Sequence, residues 1–178
     1  MERFDREKFK NLMHHVIWRT QTRDGWGLVK TFKALWFFEA RCFTLRGDVF
    51  SGAKYVKDQF GPRPLEAYQI ISELVSERKI ATYEEAFFDF SLKRAKALKA
   101  PLPGLLNETE AEDLNFWINY IDGKTASEIS DESHDLGWEI AKQGSELPLY
   151  ALLAQRVRDP DSNEMAWAKR RAEELQLP

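Results

Sequence analysis

Residues 28–43 read LVKTFKALWFFEARCF, the most apolar long segment of the chain. Its apolar residues recur along one side of a helix, and Phe37 and Phe38 widen that side. A helix this apolar is buried on most of its sides, so we predict a largely buried helix from about Leu28 to Phe43. The main apolar side consists of Leu28, Phe32, Leu35, Trp36, Cys42 and Phe43.

Two polar side chains are carried toward the core by this helix. Glu39 lies close to the apolar side, and buried carboxylates are usually paired, so we predict a salt bridge or hydrogen bond there rather than a catalytic role. Cys42 is the only cysteine, which excludes an internal disulfide and suits a reducing cytoplasm. Because burial raises the pKa of a thiol, we expect Cys42 to be inert.

Hydrophobic periodicity and turn residues predict the rest of the N-terminal half. Proline in the first turn of a helix sacrifices no hydrogen bond, which favours a helix start at the Gly-Pro segment. The predicted elements are a first helix over about Arg6–Arg19, a turn at 24–27, a short strand at Tyr55-Val56, a third helix beginning within 60–64, and a hairpin over Ile80–Leu92 connected by 82–85.

The C-terminal half follows a basic segment, Lys93 to Lys99, that is closed by Pro101–Gly104. Two sequences of the capping-box type begin its helices. The predicted elements are a helix that begins at the box Thr109–Glu112 and ends at a left-handed Gly123, a helix from the box Thr125–Glu128 to about His134, a short helix over 138–142, an extended segment over 147–150, and a final helix over 161–175.

These elements predict a mainly helical α+β fold, a compact helical domain with a small β-hairpin that spans residues 1–178. The order helix, helix, hairpin in the N-terminal half is compatible with a winged-helix-like arrangement. The chain also contains 12 Phe, 6 Trp and 5 Tyr, and aromatic residues serve both as core and as interface anchors.

The composition is that of a globular protein. Hydrophobic residues make up 43% and charged residues 31% of the chain, proportions that are wrong for a disordered protein. With 26 basic and 29 acidic residues the net charge is -3, which does not indicate a broad phosphate-binding surface but is compatible with a local basic patch. No apolar run is long enough for a signal peptide or a membrane span, so we expect a soluble, cytoplasmic protein.

The sequence offers little catalytic chemistry, and we predict no enzyme, no cofactor and no metal. Nucleotide-binding, zinc-protease and nucleophile-elbow motifs are all missing. Ser133-His134-Asp135 contains the letters of a hydrolase triad, but consecutive residues of a helix diverge and cannot converge on one site. Asp131, His134 and Asp135 share a helical face that could hold a metal, yet a structural site needs about four ligands.

The basic segment that follows the predicted hairpin has two interpretations. A wing with Lys93 and Lys99 could contact nucleic acid, whereas lysines along a solvated strand could simply protect a sheet edge. The net acidity of the chain favours the second interpretation.

Several short segments have an order and spacing in common with a known family. Phe9–Leu12 and GLVKTFKALWF at 27–37 are similar to an initial helix followed by G-x-x-K-L-x-K-L-L-Y-F in the Panacea domain family, also called SocA-like. The resemblance covers residues 8–153 approximately. It continues through SGAKYVK at 51–57, FGP at 60–62, GKTASEIS at 123–130, Ser133-His134, Trp138 and LPLY at 147–150.

This resemblance implies an antitoxin. Family members neutralise toxins encoded beside them, typically by direct binding; one branch delivers its toxin to a protease, and many members occur in prophages. The implied partner is a cognate protein toxin. Further partners that the resemblance leaves open are a AAA+ protease, the promoter DNA of the operon and a second copy of the chain.

The family positions are expected to shape the domain rather than to contact the toxin. Gly52 and Gly61 allow backbone angles that other residues resist, and His134 and Trp138 form a packing pair. The positions carried over in this structural role are Lys30, Trp36, Gly52, Gly61, Pro62, Ser133, His134 and Trp138.

The toxin contact is expected in the exposed part of the region from Tyr55 to Tyr68 and on the hairpin, because loops and edges carry recognition. Two other functions stay open: a winged-helix-like regulator that binds its own promoter, and an enzyme with a polar pocket around Glu39 or His134. The predicted contact residues are Tyr55, Lys57, Phe60, Arg63 and Tyr68.

Overall fold

A computed structural model describes residues 4–88, 90–154, 165–166 and 170–171. The predicted final helix over 161–175 therefore lies largely outside the described residues. The elements are α1 (Arg6–Thr20), α2 (Leu28–Arg46), β1 (Tyr55–Asp58), β2 (Gly61–Pro64), α3 (Ala67–Ser76), β3 (Ile80–Phe87), β4 (Phe90–Ala97), α4 (Glu108–Asp122), α5 (Ala126–Glu132), α6 (Leu136–Ile140), β5 (Glu146–Leu147) and α7 (Ala151–Ala154). The predicted mainly helical α+β fold is confirmed.

The apolar helix α2 is the centre of the fold, as the sequence predicts. It packs against α1, α4, α5 and β2, and Leu35 and Phe38 are completely buried. Burying each such side chain contributes about 1.5–3 kcal/mol to stability. The helix continues one turn beyond the predicted end at Phe43, to Arg46, where a left-handed Gly47 caps it. Arg46 of this additional turn pairs with Glu110 of α4 at 2.9 Å.

Glu39 of α2 is hydrogen-bonded, which confirms the prediction. Its side chain is 0% exposed, and it accepts hydrogen bonds from the backbone N–H of Phe50 at 3.0 Å and of Ser51 at 3.3 Å, together with a short bond from the Ser51 hydroxyl. Burial raises the pKa of Glu39 to about 6, although these hydrogen bonds act in the opposite direction. The carboxylate thereby fixes the loop after α2 to the core.

Cys42 behaves as predicted. It is buried, and burial raises the pKa of its thiol to about 12. The thiol is therefore neutral at physiological pH, and it functions as a small apolar group in the packing of α2.

The three-stranded antiparallel sheet has the order β2-β1-β5, with Tyr55 opposite Pro64 in β2 and Leu147 in β5. The predicted strand at Tyr55-Val56 is confirmed, but the predicted helix start within 60–64 is wrong. Gly61 has a φ of +87°, outside the helical region, and a residue that precedes proline, as Gly61 and Arg63 both do, disfavours the helical conformation. The segment therefore forms edge strand β2, and α3 begins at Ala67.

The second sheet is the hairpin β3–β4, and its predicted connection at 82–85 is wrong. Those residues lie inside β3, and the chain reverses after Phe87, where Phe88 adopts a left-handed φ of +51°. The basic segment at 93–99 consequently begins within β4 instead of following the hairpin. Arg94 pairs with Glu85 across the hairpin at 2.8 Å and also donates to the carbonyl of Arg23, which attaches β4 to the turn before α2.

The caps of the C-terminal helices are partly as predicted. The capping box of α5, Thr125 with Glu128, is confirmed. The box of α4 is formed by Asn107 and Glu110 instead of Thr109 and Glu112, because asparagine also caps well and precedes the acidic turn. Gly123 has a φ of -72° and is not left-handed.

The ends of the last elements differ from the predicted ends by a few residues. Helix α5 stops at Glu132 rather than at His134, since Asp135 already caps α6 through the backbone N–H of Trp138. Helix α6 accordingly begins at Leu136, and the extended segment predicted for 147–150 is strand only as far as Leu147.

We expect the unfolding free energy to fall as the pH rises through the titration of Glu39. Because the folded pKa, about 6, is above the ordinary 4.5, the unfolded chain loses its proton first and folding is penalised above that range. The loss is about 2 kcal/mol for a shift of this size. Urea denaturation of the wild type and of Glu39→Gln at pH 4 and pH 7 measures this loss. The difference in unfolding free energy between the two proteins should change by about 2 kcal/mol between the two pH values. A constant difference would contradict the assignment.

Candidate binding groove

A groove of about 620 Å³ lies between α2, the β1–β2 turn, β4 and α5. This volume is within the range of about 300–1,000 Å³ that is usual for ligand sites. Its walls are mixed: one part is apolar and aromatic, and the other carries hydroxyl and charged groups. The lining residues are Leu28, Val29, Phe32, Lys33, Asp58, Gln59, Phe60, Gly61, Pro62, Arg63, Tyr68, Ser91, Leu92, Lys93, Ala126, Ser127, Ser130, Asp131 and His134.

Lys33 from the centre of α2 is the most deeply buried charge of the groove. Its residue is 2% exposed, and its ammonium donates to the carbonyl of Pro62 at 3.0 Å. Within the described part of the chain, no carboxylate forms an ion pair with it. Burial lowers the pKa of Lys33 to about 7, and the more distant Asp58 offsets only part of this effect. A buried ammonium without a carboxylate partner is costly, which makes Lys33 receptive to an anion.

The β1–β2 turn is held in place from two sides. Gly61 approaches so closely that a β-carbon there would contact the Ser133 hydroxyl and come within 2.6 Å of Lys33 Nζ. The Ser130 hydroxyl makes a short hydrogen bond to the carbonyl of Phe60. The turn is therefore fixed between α2 and α5, and the glycine is required by both its positive φ and its lack of a side chain.

Aromatic and charged side chains form the exposed rim of the groove. Phe60 and Tyr68 are each 55% exposed. The Arg63 guanidinium lies 5.1 Å from the centre of the Tyr68 ring and makes a short ion pair with Asp58. Burial by itself would raise the pKa of Asp58, but the hydrogen bonds from Arg63 and the backbone N–H of Gln59, together with the nearby positive charges, lower that pKa overall. Rigid aromatics beside an arginine are the composition of interface anchors.

His134 and Trp138 form the packing pair that the sequence predicts. Their rings stack with centroids 3.5 Å apart. Lys57, on the neighbouring strand β1, lies 3.9 Å from the centre of the Trp138 ring. Burial lowers the pKa of His134, and the charge of Lys33 lowers it further. Among the described residues His134 Nε2 has no hydrogen-bond partner, so a second polar atom beside the groove is unsatisfied.

The remaining predicted residues lie apart from the groove. Tyr55 is 1% exposed and packs on Trp36 with ring centroids 4.9 Å apart, so we leave it out of the contact surface. Lys30 is buried 5.7 Å from the centre of the Trp26 ring, and burial lowers its pKa. Gly52 has a φ of +72°, the conformation expected for it.

Two residues of the Ser133-His134-Asp135 sequence are engaged in structural hydrogen bonds. The Ser133 hydroxyl donates to the carbonyl of Ser130 at 2.6 Å, and the Asp135 carboxylate accepts from the N–H of Trp138 at 2.7 Å. Over the ranges that the structure describes, no group of three or more His, Cys, Asp and Glu side chains could hold a metal ion.

Two features of the groove are not among the residues predicted from the sequence: Lys33, and the apolar wall provided by Val29, Phe32 and Leu92. Lys33 carries a signal that could have been used, because it lies in the same apolar helix as Glu39 and is drawn into the core in the same way. The wall has no such signal, since Leu92 reaches the groove only through the pairing of β4 with β3.

Comparison with protein families identifies the chain. Residues 32–139 match the family described as "Antitoxin SocA-like, Panacea domain". The chain belongs to this family. The match includes α3, the hairpin, α4 and most of the residues that build the groove, and it supports an antitoxin role in general.

Neither curated proteins nor solved structures give a match to the chain. None of the helices in the described ranges combines the length and the apolar character that are needed to cross a bilayer.

We expect Gly61→Ala to destabilise the protein by about 2–5 kcal/mol, the sum of a left-handed alanine and an overpacked contact. Gly47→Ala is the matched control, because Gly47 also has a positive φ, +71°, but nothing lies within 4 Å of its added methyl group. The control should lose only about 1–2 kcal/mol. Urea denaturation of both variants gives the comparison; equal losses would show that the contact at the turn has no cost.

Proposed function

We propose that this protein neutralises a cognate protein toxin by direct binding, and that the rim of the groove is part of the contact. The observation that carries the proposal is the exposed pair Phe60 and Tyr68 beside Arg63, in a protein of an antitoxin family. These side chains surround a concavity, and the turn that carries Phe60 is fixed by Ser130 and Gly61. Little entropy is therefore lost when a partner binds.

The predicted contact residues contribute unequally to this surface. Phe60, Arg63 and Tyr68 lie together at the rim, and Lys57 lies beside it over Trp138. The interaction would combine aromatic anchors at the centre with charged groups around them, the usual arrangement of a protein interface.

Binding to promoter DNA has less support from the hairpin. Glu84 lies opposite Lys93 in the strand pairing, and Glu85 is paired with Arg94. Carboxylates therefore accompany two of the basic side chains that a wing would present to phosphate groups. Delivery of the toxin to a protease is compatible with the same complex.

Co-expression with the neighbouring gene tests the proposed function. We expect growth arrest from the neighbour alone, relief of the arrest by this protein, and co-purification of the two proteins. The rescue should persist in a host that lacks its AAA+ proteases, because binding alone neutralises. Rescue without any complex, or a harmless neighbour, would contradict neutralisation by binding, whereas rescue that requires a protease would indicate an adaptor.

We expect Phe60→Ala to weaken the complex about thirtyfold, which corresponds to the loss of about 2 kcal/mol at an interface anchor. The control is Phe116→Ala on α4, whose ring is exposed to a similar extent, 59%, but does not line the groove. The control should bind within about threefold of the wild type, since a side chain outside an interface contributes little to it. Calorimetric titration of each purified variant with the neighbouring protein gives the two constants. If Phe116→Ala weakened the complex more than Phe60→Ala does, the partner would contact α4 rather than the rim of the groove.

A further inference from the structure

At the inner end of the groove, the described residues leave the Lys33 ammonium without a carboxylate partner. Lys33 is buried with one hydrogen bond, to the Pro62 carbonyl, and an ammonium has three donors. Asp58, the nearby acid, is committed to Arg63 by a short ion pair. Asp131 also lines the groove, but it is exposed to solvent and forms no ion pair with Lys33. The inner end of the groove is therefore complementary to a negatively charged group that could pair with Lys33.

The other groups around Lys33 restrict the chemistry of what can enter. The apolar wall formed by Val29, Phe32 and Leu92 favours an occupant with a hydrocarbon body. Lys93 of β4 also lines the groove, opposite Glu84 in the strand pairing, and among the described residues His134 Nε2 is a further polar atom without a hydrogen-bond partner. These features fit one acidic group carried on an apolar segment better than a polyanion such as a nucleic acid backbone.

We propose that the protein partner inserts one acidic side chain, an aspartate or glutamate with apolar neighbours, into this groove, where its carboxylate pairs with the Lys33 ammonium. This inference rests on the proposed function and adds to it the chemistry of the partner's contact. The rim aromatics would bind the flanking apolar residues, and the buried ion pair would decide which partner is accepted, because a partner without the acid leaves Lys33 unpaired.

The same arrangement couples binding to a proton. Free Lys33 has a pKa of about 7 because it is buried, and a carboxylate beside it would raise that pKa toward the ordinary 10.5. Binding therefore takes up a proton between these values, so affinity should fall as the pH rises above 7, by at most tenfold per pH unit. The charged and titratable groups facing Lys33 across the groove are Asp58, Arg63, Lys93, Asp131 and His134.

The chain offers a matched pair of variants for the test. Lys33→Met and Lys30→Met make the same substitution on the same helix at two buried lysines, 2% and 5% exposed, of which only Lys33 lines the groove. Methionine is an apolar replacement of similar shape, so both variants should fold, and thermal unfolding checks this. The probe is the protein encoded by the neighbouring gene, recovered from the co-purified complex in denaturant and refolded.

We expect Lys33→Met to weaken the complex at least about thirtyfold at pH 7, as the removal of one partner of a buried charge pair does. Its affinity should be nearly independent of pH from 7 to 8.5, whereas the wild type and Lys30→Met should weaken at least about fivefold over that range. Lys33→Met binding within threefold of the wild type, or showing the same pH dependence, overturns the inference and leaves the proposed function standing.

A measurement on the wild type alone keeps the inference testable if Lys33→Met does not fold. Calorimetry at pH 8 in two buffers with different ionisation enthalpies should give an uptake of about one proton per complex. No net uptake overturns the inference. A wild-type protein that forms no complex at all removes the proposed function, and this inference with it.

Discussion

Two of the charged side chains that helix α2 carries into the core, Glu39 and Lys33, have opposite charge, and each holds a different piece of backbone. Glu39 accepts from the N–H groups of Phe50 and Ser51, and Lys33 donates to the carbonyl of Pro62. The two segments attached in this way are the loop after α2 and the turn between β1 and β2. The sheet and the groove are thus positioned by hydrogen bonds from one helix, whose own burial supplies the energy that keeps these charges away from water.

This arrangement explains why structural and binding roles meet at the same residues. Gly61 is fixed by its closeness to Lys33 and Ser133, and its neighbour Phe60 is thereby held at the rim with more than half of its surface exposed. Gly61 and Pro62 consequently determine the shape of the groove as well as that of the turn. The residues we assign to packing therefore lie directly behind the residues we propose for recognition.

The sequence predicted those parts of the fold that depend on local patterns. The burial of α2 follows from its apolar periodicity, and the pairing of Glu39 follows from that burial. The turn of the hairpin could not be found in this way, because residues 88–89 lack the glycine or asparagine of a typical turn and Phe88 is forced into a positive φ. The groove depends on α2, β4 and α5 coming together, which no local pattern contains. Of the groove residues, Lys33 could have been predicted, because the apolar helix that buries Glu39 buries Lys33 as well.

The prolines of strand β2 affect the tendency of the free protein to self-associate through the edge of its sheet. Because the Leu65 N–H bonds to Lys54 of the neighbouring segment, alternation along the strand turns Pro62 and Pro64 toward the open edge. Neither proline has an N–H, and their carbonyls already accept from Lys33 and Arg63. At the other edge β5 is only two residues long. The three-stranded sheet therefore presents little unpaired backbone at its edges, which disfavours the addition of a further strand.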